Sequence, residues 1–327
     1  MRRVSRLAYI LAASHSGSTL LAMLIGAHPE ACTVGELNAG SFGNTDDYRC
    51  SCRQKIKDCA FWGRVREGMK QKGIADFDMT RAGTSIHHVQ GWQARRLLAP
   101  LCRGPFLEGV RDLGLALAPG WRAHLEETQR RNAALVGVLR EITGAKIIID
   151  SSKLALRLKY LLRNPELDIK VIRLVRDGRA VSLTYTDEWS FADASNPSLR
   201  GGGGGARRPP PRRNMADAAR EWRRSNEAAD CLAARLPASQ WIRVSYEQIC
   251  RQPETTLKTL CQFLDLNPGA INLDFRSRAQ HVIGNGMRLD ASSEIRLDER
   301  WRTALSPDSL RVFDAVAGVL NHQYGYQ

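Results

Sequence analysis

A mostly parallel α/β sheet covered by helices on both faces is the architecture this sequence predicts, and three observations carry it. Five short apolar runs rich in β-branched or aromatic residues punctuate the chain, helix-length amphipathic segments separate them, and two of the runs end in a polar turn that leads into a helix. Strands alternating with helices build a parallel sheet whose ligands bind at the carboxyl ends of the strands.

The strands are expected over 7–12, 31–34, 146–150, 170–175 and 241–246. Helices are expected over 121–142, 154–163, 215–236 and 253–264, the last opening on Pro253, which suits a first helical turn. The run 7–13 follows Met1-Arg2-Arg3 as a signal segment would, but it is short and passes into a polar turn, so it reads as a buried strand. The whole of 1–327 reads as one domain, with an acceptor-side insertion at 40–120. The stretch 196–214, with Gly201 to Gly205, Pro209 to Pro211 and five arginines, reads as a flexible loop or lid.

Forty-eight Lys and Arg against 34 Asp and Glu give a net charge of +14, which favours anionic partners. The arginines are scattered in pairs with no repeating basic and aromatic module, so nucleic acid is not the expected partner. No apolar run reaches the roughly 18–20 residues that span a bilayer, and eight cysteines without a signal segment fit reduced thiols; a cytoplasmic location is expected.

The chemistry gathers at two strand ends. The first strand runs into Ser14-His15-Ser16-Gly17-Ser18-Thr19 and then a helical run at 20–27. This is an anion cradle: Gly17 admits close backbone approach, the helix start offers free N–H groups, and Ser18 and Thr19 add hydroxyls. The same hydroxyls also serve as simple helix caps. A nucleoside triphosphatase or kinase needs G-x-x-x-x-G-K-[ST], and this turn has neither the spacing nor the lysine. The fourth strand ends in Arg176-Asp177-Gly178-Arg179, placing a guanidinium at the same edge with Ser182 and Thr184 on the helix behind it. Two anion sites on one sheet edge suit a ligand with two separated phosphates.

At this point the chain resembles the sulfotransferases that use 3′-phosphoadenosine 5′-phosphosulfate as donor. Ser16-Gly17-Ser18-Thr19-Leu20-Leu21 resembles their 5′-phosphosulfate loop, and Arg173-Leu174-Val175-Arg176-Asp177-Gly178-Arg179-Ala180 their 3′-phosphate strand and turn. Gly35-Glu36-Leu37-Asn38, Ile149-Asp150-Ser151-Ser152-Lys153 and Tyr246-Glu247-Gln248-Ile249 extend the likeness over most of the chain, nearest to bacterial, tyrosylprotein-type and carbohydrate-type members. The resemblance implies a P-loop-NTPase-like three-layer fold with a roughly five-stranded sheet. It implies sulfuryl transfer to a hydroxyl of a small-molecule, glycan or lipid acceptor, with no metal required. A kinase on a related sheet and a non-catalytic RNA- or nucleotide-binding protein are the alternatives. Carried over residue by residue, the donor contacts fall on His15, Ser16, Gly17, Ser18, Thr19, Leu20, Arg176, Ser182, Thr184, Tyr246 and Arg288. Glu36 is the expected base, with Asn38 beside it to orient the acceptor. Lys153 is the expected cation, with Asp150 holding it. His15 stands where the family usually has Arg or Lys, which makes that position's charge depend on pH. Trp222 and Asn226, one helical turn apart, read either as neighbours of the nucleotide or as core.

Cys50, Cys52 and Cys59 form a cluster that offers three metal ligands without an evident fourth. Similar cysteines before Phe-Trp occur in bacterial relatives, so a structural knuckle stays open, while the expected site carries no metal.

Overall fold

The computed structural model describes residues 4–38, 46–79, 82–99, 105–194, 196–201 and 213–327. Strands β1 (Ser5–Leu11), β2 (Ala31–Thr33), β3 (Ile147–Lys153), β4 (Leu167–Val175) and β5 (Trp241–Ser245) form one sheet in the order β2-β3-β1-β4-β5. Every pairing in it is parallel. The five expected strands are therefore present, and the sheet is wholly parallel.

Period-2 alternation divides the core between the two faces. Leu7, Tyr9 and Leu11 of β1 point to one side with Ile148, Ile169 and Val171, and there they meet Leu135 and Leu139 of the helix Trp121–Thr143 and Val65 and Met69 of the helix Ala60–Gln71. Ala8 and Ile10 point to the other side with Ile149, Ile172 and Leu174, against Leu21 and Ile25 of the helix Ser18–Gly26 and Leu257 and Leu260 of the helix Pro253–Phe263. Burial of both faces explains why the strands read as near-continuous apolar runs. The helix Met215–Ala233 packs beside the helix Gly178–Thr186. The Gly/Pro/Arg stretch at 202–212 lies outside the described residues. No helix among the described residues is long and apolar enough to cross a membrane.

β1 is central: the chain first lays β2 and β3 on one side of it and then crosses to lay β4 and β5 on the other, so the carboxyl ends of β1, β3 and β4 open a crevice where the winding reverses. At its floor Asp150 of β3 is completely buried. One of its oxygens accepts the Leu37 N–H at 3.1 Å, the Ser152 N–H at 2.9 Å and the Ser152 hydroxyl, and the other accepts Arg157 at 3.1 Å. Arg157, equally buried, also donates to the Thr84 carbonyl and Asn132 Oδ1. Removing the carboxylate strands the guanidinium in the core, so Asp150→Ala is expected to cost about 3–5 kcal/mol of unfolding free energy. Urea denaturation checks this.

Candidate active site

A cleft of about 580 Å³ opens at the carboxyl edge, and its walls include Ser14, His15, Gly17, Ser18, Thr19 and Leu20 from the first turn, with Glu36, Asn38, Lys153, Arg176, Thr184 and Tyr246 around them. Most of the residues named from the sequence thus converge in one place, each at or just beyond a strand end.

The first turn is built for close approach. Gly17 adopts φ 87°, and a Cβ there would lie 2.5 Å from the Tyr246 ring, so only glycine fits beneath that tyrosine. The helix Ser18–Gly26 begins directly after it with no side chain capping its start. The hydroxyls of Ser18 and Thr19 are therefore not spent as caps. Ser16 Oγ is buried with no hydrogen-bond partner among the described residues, as are His15 Nε2, Asn38 Oδ1, Arg176 Nε and Ser182 Oγ. Buried polar atoms left this way cost about 1–3 kcal/mol each, and three of these residues, His15, Asn38 and Arg176, line the cleft itself.

Lys153 has φ 70°, outside the strand conformation, which turns its side chain across the crevice to Glu36. Nζ and Oε1 lie 2.5 Å apart, and Nζ also donates to the Ser151 carbonyl at 3.2 Å. Asp150 does not hold Lys153 as expected from their closeness in sequence: its oxygens are taken by backbone, Ser152 and Arg157, and Glu36 holds the lysine instead. Asn38 is positioned by its N–H, which donates to Ser152 Oγ at 2.8 Å.

Arg176 is buried over the Tyr246 ring at 4.3 Å. It donates to the His15 carbonyl at 2.8 Å and pairs with Asp298 at 2.9 Å. Asp177 is not its partner, since that carboxylate caps the following helix and binds Arg179. The Asp298 carboxyl is held well below the usual range by Arg300 and then by Arg176. Thr184 lines the cleft with its hydroxyl donated back to the Ala180 carbonyl, whereas Ser182 is fully buried.

Two further expectations need correction, and one open alternative closes. Arg288 does not reach over the cleft: it is completely buried above the Tyr48 ring, and its guanidinium donates to the carbonyls of Arg49, Asp193, Gly284 and Asn285. Converging carbonyls draw it inward, and Arg296 and Arg300 line the cleft from the same terminal segment instead. His15 is not a pH-tuned cation. Its ring lies edge-on between Tyr185 and Phe191, and burial, then Lys153, Arg176 and Arg213, push its pKa down to about 4. Trp222 and Asn226 are core: Trp222 packs on Phe313 and Tyr324, and Asn226 accepts from the buried Arg173. Sequence reasoning missed Asp298, Arg300 and Phe191 altogether, because an extended segment and a loop carry no periodic signal. Outside the cleft, the fold also carries His281 to the three clustered cysteines.

Residues 122–268 match a family model described as the sulfotransferase family. The solved structure of the sulfotransferase domain from the Synechococcus PCC 7002 olefin synthase is 18% identical, with 96% of this chain and 95% of that one covered and a TM-score of 0.52. The sulfotransferase domain from the curacin biosynthetic pathway is 16% identical, with 99% of each chain covered and a TM-score of 0.50. No curated protein sequence matches the chain. The sulfotransferase resemblance is supported: the segment 122–268, which contains Lys153, Arg176 and Tyr246, matches the family's model, and the chain shares the fold of these two sulfotransferase domains.

The His15 shift has a stability consequence with a definite sign. Its folded pKa lies below the ordinary 6.5, so the unfolded chain binds the proton more readily and stability is lost as pH falls from about 6.5 toward 4. His15 alone accounts for about 2 kcal/mol between pH 7 and pH 5. Asparagine tolerates the residue's φ of 62°, so His15→Asn is expected to lower the baseline but to lose about 2 kcal/mol less over that interval. Paired urea titrations at the two pH values check it.

Proposed function

We propose that this chain transfers a sulfuryl group from 3′-phosphoadenosine 5′-phosphosulfate to a hydroxyl of a small-molecule, glycan or lipid acceptor. The observation that carries the reading is one cleft walled by an uncapped helix start, Lys153 and Arg176, with unpartnered buried polar atoms on His15, Asn38 and Arg176. Two anion-binding points at one sheet edge match a donor with phosphates at both ends of its ribose. In this reading the N–H groups and hydroxyls of 16–20 hold the 5′-phosphosulfate, and Arg176 with Ser182 or Thr184 holds the 3′-phosphate. The stacked Tyr246 ring keeps Arg176 and the turn in register. The turn's lack of the triphosphate-binding lysine speaks against ATP.

The reaction forms a bond between sulfur and the acceptor oxygen, breaks the bond between sulfur and the phosphate's bridging oxygen, and leaves adenosine 3′,5′-bisphosphate. Glu36 takes the acceptor's proton, which requires Lys153 to turn from the carboxylate toward the transferred group. A neutral His15 supplies no positive charge, so Lys153 carries the electrostatic task beside the helix start. Lys153 also borders a second, narrower cavity of about 140 Å³ with Leu154, Leu156, Ala228 and Leu232 in its walls, and that side is assigned to the acceptor.

Arg176→Ala is expected to weaken binding of adenosine 3′,5′-bisphosphate about 10- to 100-fold, the worth of a charge-assisted phosphate contact. Titration calorimetry reads it, and unchanged affinity refutes the assignment. Glu36→Gln is expected to bind the bisphosphate as the parent does while turnover falls about 10²- to 10⁴-fold. Turnover is read as transfer of radioactive sulfate from labelled donor to components of a cell extract. Parental labelling by Glu36→Gln removes Glu36 as the base.

A further inference from the structure

Residues 46–59 fold into a compact turn at the rim of the cleft, which Tyr48 helps to line. The Cys50 N–H donates to the Gln54 carbonyl at 3.0 Å and the Arg53 N–H to the Cys50 carbonyl at 2.8 Å, with Arg53 at φ 67°. This doubles the chain back so that Cys50 and Cys52 face the same point. Cys59 enters from the residue before the helix Ala60–Gln71. His281 arrives from the other end of the chain, its ring stacked on Phe61 at 4.3 Å and 4° between planes, which turns Nδ1 toward the sulfurs.

One ligand atom from each of the four residues lies within 4.8 Å of all the others. Cys52 Sγ is 3.6 Å from Cys59 Sγ, and His281 Nδ1 is 3.4 Å from Cys59 Sγ and 3.6 Å from Cys50 Sγ. A tetrahedron with Zn–S of about 2.3 Å and Zn–N of about 2.0 Å has S···S edges near 3.8 Å and S···N edges near 3.6 Å. The three separations just given lie within about 0.2 Å of those edges, and none of these cysteines is in a disulfide. Cys50 and Cys59 are buried, so the cluster is closed on one side by protein.

We propose that Cys50, Cys52, Cys59 and His281 bind one structural zinc ion. Three thiolates and an imidazole in tetrahedral array select zinc among the common divalent ions. Four protein ligands leave no open position for chemistry. The ion's work is to fasten the turn to 280–284, where Ser51 already exchanges hydrogen bonds with Val282 and Tyr48 with Gly284. That strip is the wall on which Glu36 rests, since a Cβ at Gly284 would lie 3.2 Å from Glu36 Oε1. The proposal is independent of the donor and acceptor assigned above.

The test is metal analysis of the full chain, purified with its affinity tag removed and without chelator. Native mass spectrometry and elemental analysis are expected to find one zinc per chain. Replacement by cobalt(II) is expected to give the visible bands and intense near-ultraviolet charge transfer of a sulfur-rich tetrahedral site. His281→Ala is expected to give up zinc to a competing chelator at least about tenfold more readily, because losing even an outer-shell partner costs that much. His281→Cys restores retention. Since a cysteine variant can fail to fold, the parent protein supplies a second measure: chelation lowers its melting temperature by several degrees and added zinc restores it. Protein that carries no stoichiometric metal and takes up no zinc when reduced overturns the proposal, as does a metal-free chain with Cys52 joined to Cys59 in a disulfide.

Discussion

Asp150 lies where β3 leaves the sheet, and its buried carboxylate holds in one grip the segment after β2, the end of β3 and the guanidinium of Arg157. Glu36 precedes Leu37, whose N–H Asp150 accepts, and Lys153 follows Ser152, which Asp150 holds twice. The ion pair at the cleft is thus set by a carboxylate that never reaches the cleft. Such burial is sustained because each oxygen is satisfied, and it exchanges stability for geometry, which a catalytic constellation needs.

Around that fixed frame the cleft's cations are held by internal acids. Lys153 holds Glu36, and Arg176 and Arg300 hold Asp298. An anionic ligand entering here does not meet bare positive charge; it replaces one carboxylate with another anion. The exchange limits affinity to the difference between the two contacts, and it keeps the guanidinium of Arg176 from being buried alone. His15 shows the same logic from the other side. Burial first, and then the repulsion of Lys153, Arg176 and Arg213, disfavours a further charge, so the ring stays neutral and packs as an aromatic between Tyr185 and Phe191.

The sheet was legible because both of its faces are buried: five apolar runs of strand length, bounded by turns, had no other stable use, and each is a strand. The cleft turn was legible because Gly17 between serines at a strand end is a local arrangement, and the family likeness added Glu36, Lys153 and Arg176. What local pattern could not reveal was direction. Arg288 follows a glycine-rich turn that looked suited to closing over a phosphate, yet carbonyls from the distant Arg49 and Asp193, with two from the turn itself, hold it in the core. Asp150 and Lys153 are near in sequence and apart in the fold, because Lys153 leaves the strand conformation. His281 lies 222 residues from Cys59, beyond any spacing rule, so the fourth ligand was invisible until the chain closed on itself.

We propose above that the crevice between the turn 14–19 and Arg176 holds two phosphates. The most direct measurement is a crystal structure of the protein grown with adenosine 3′,5′-bisphosphate. The 5′-phosphate is expected on the N–H groups at the start of the helix Ser18–Gly26 and the 3′-phosphate on Arg176, with Asp298 displaced from that guanidinium. A bisphosphate bound elsewhere, or a crevice in which Asp298 keeps Arg176 while the ligand is present at saturating concentration, would contradict it.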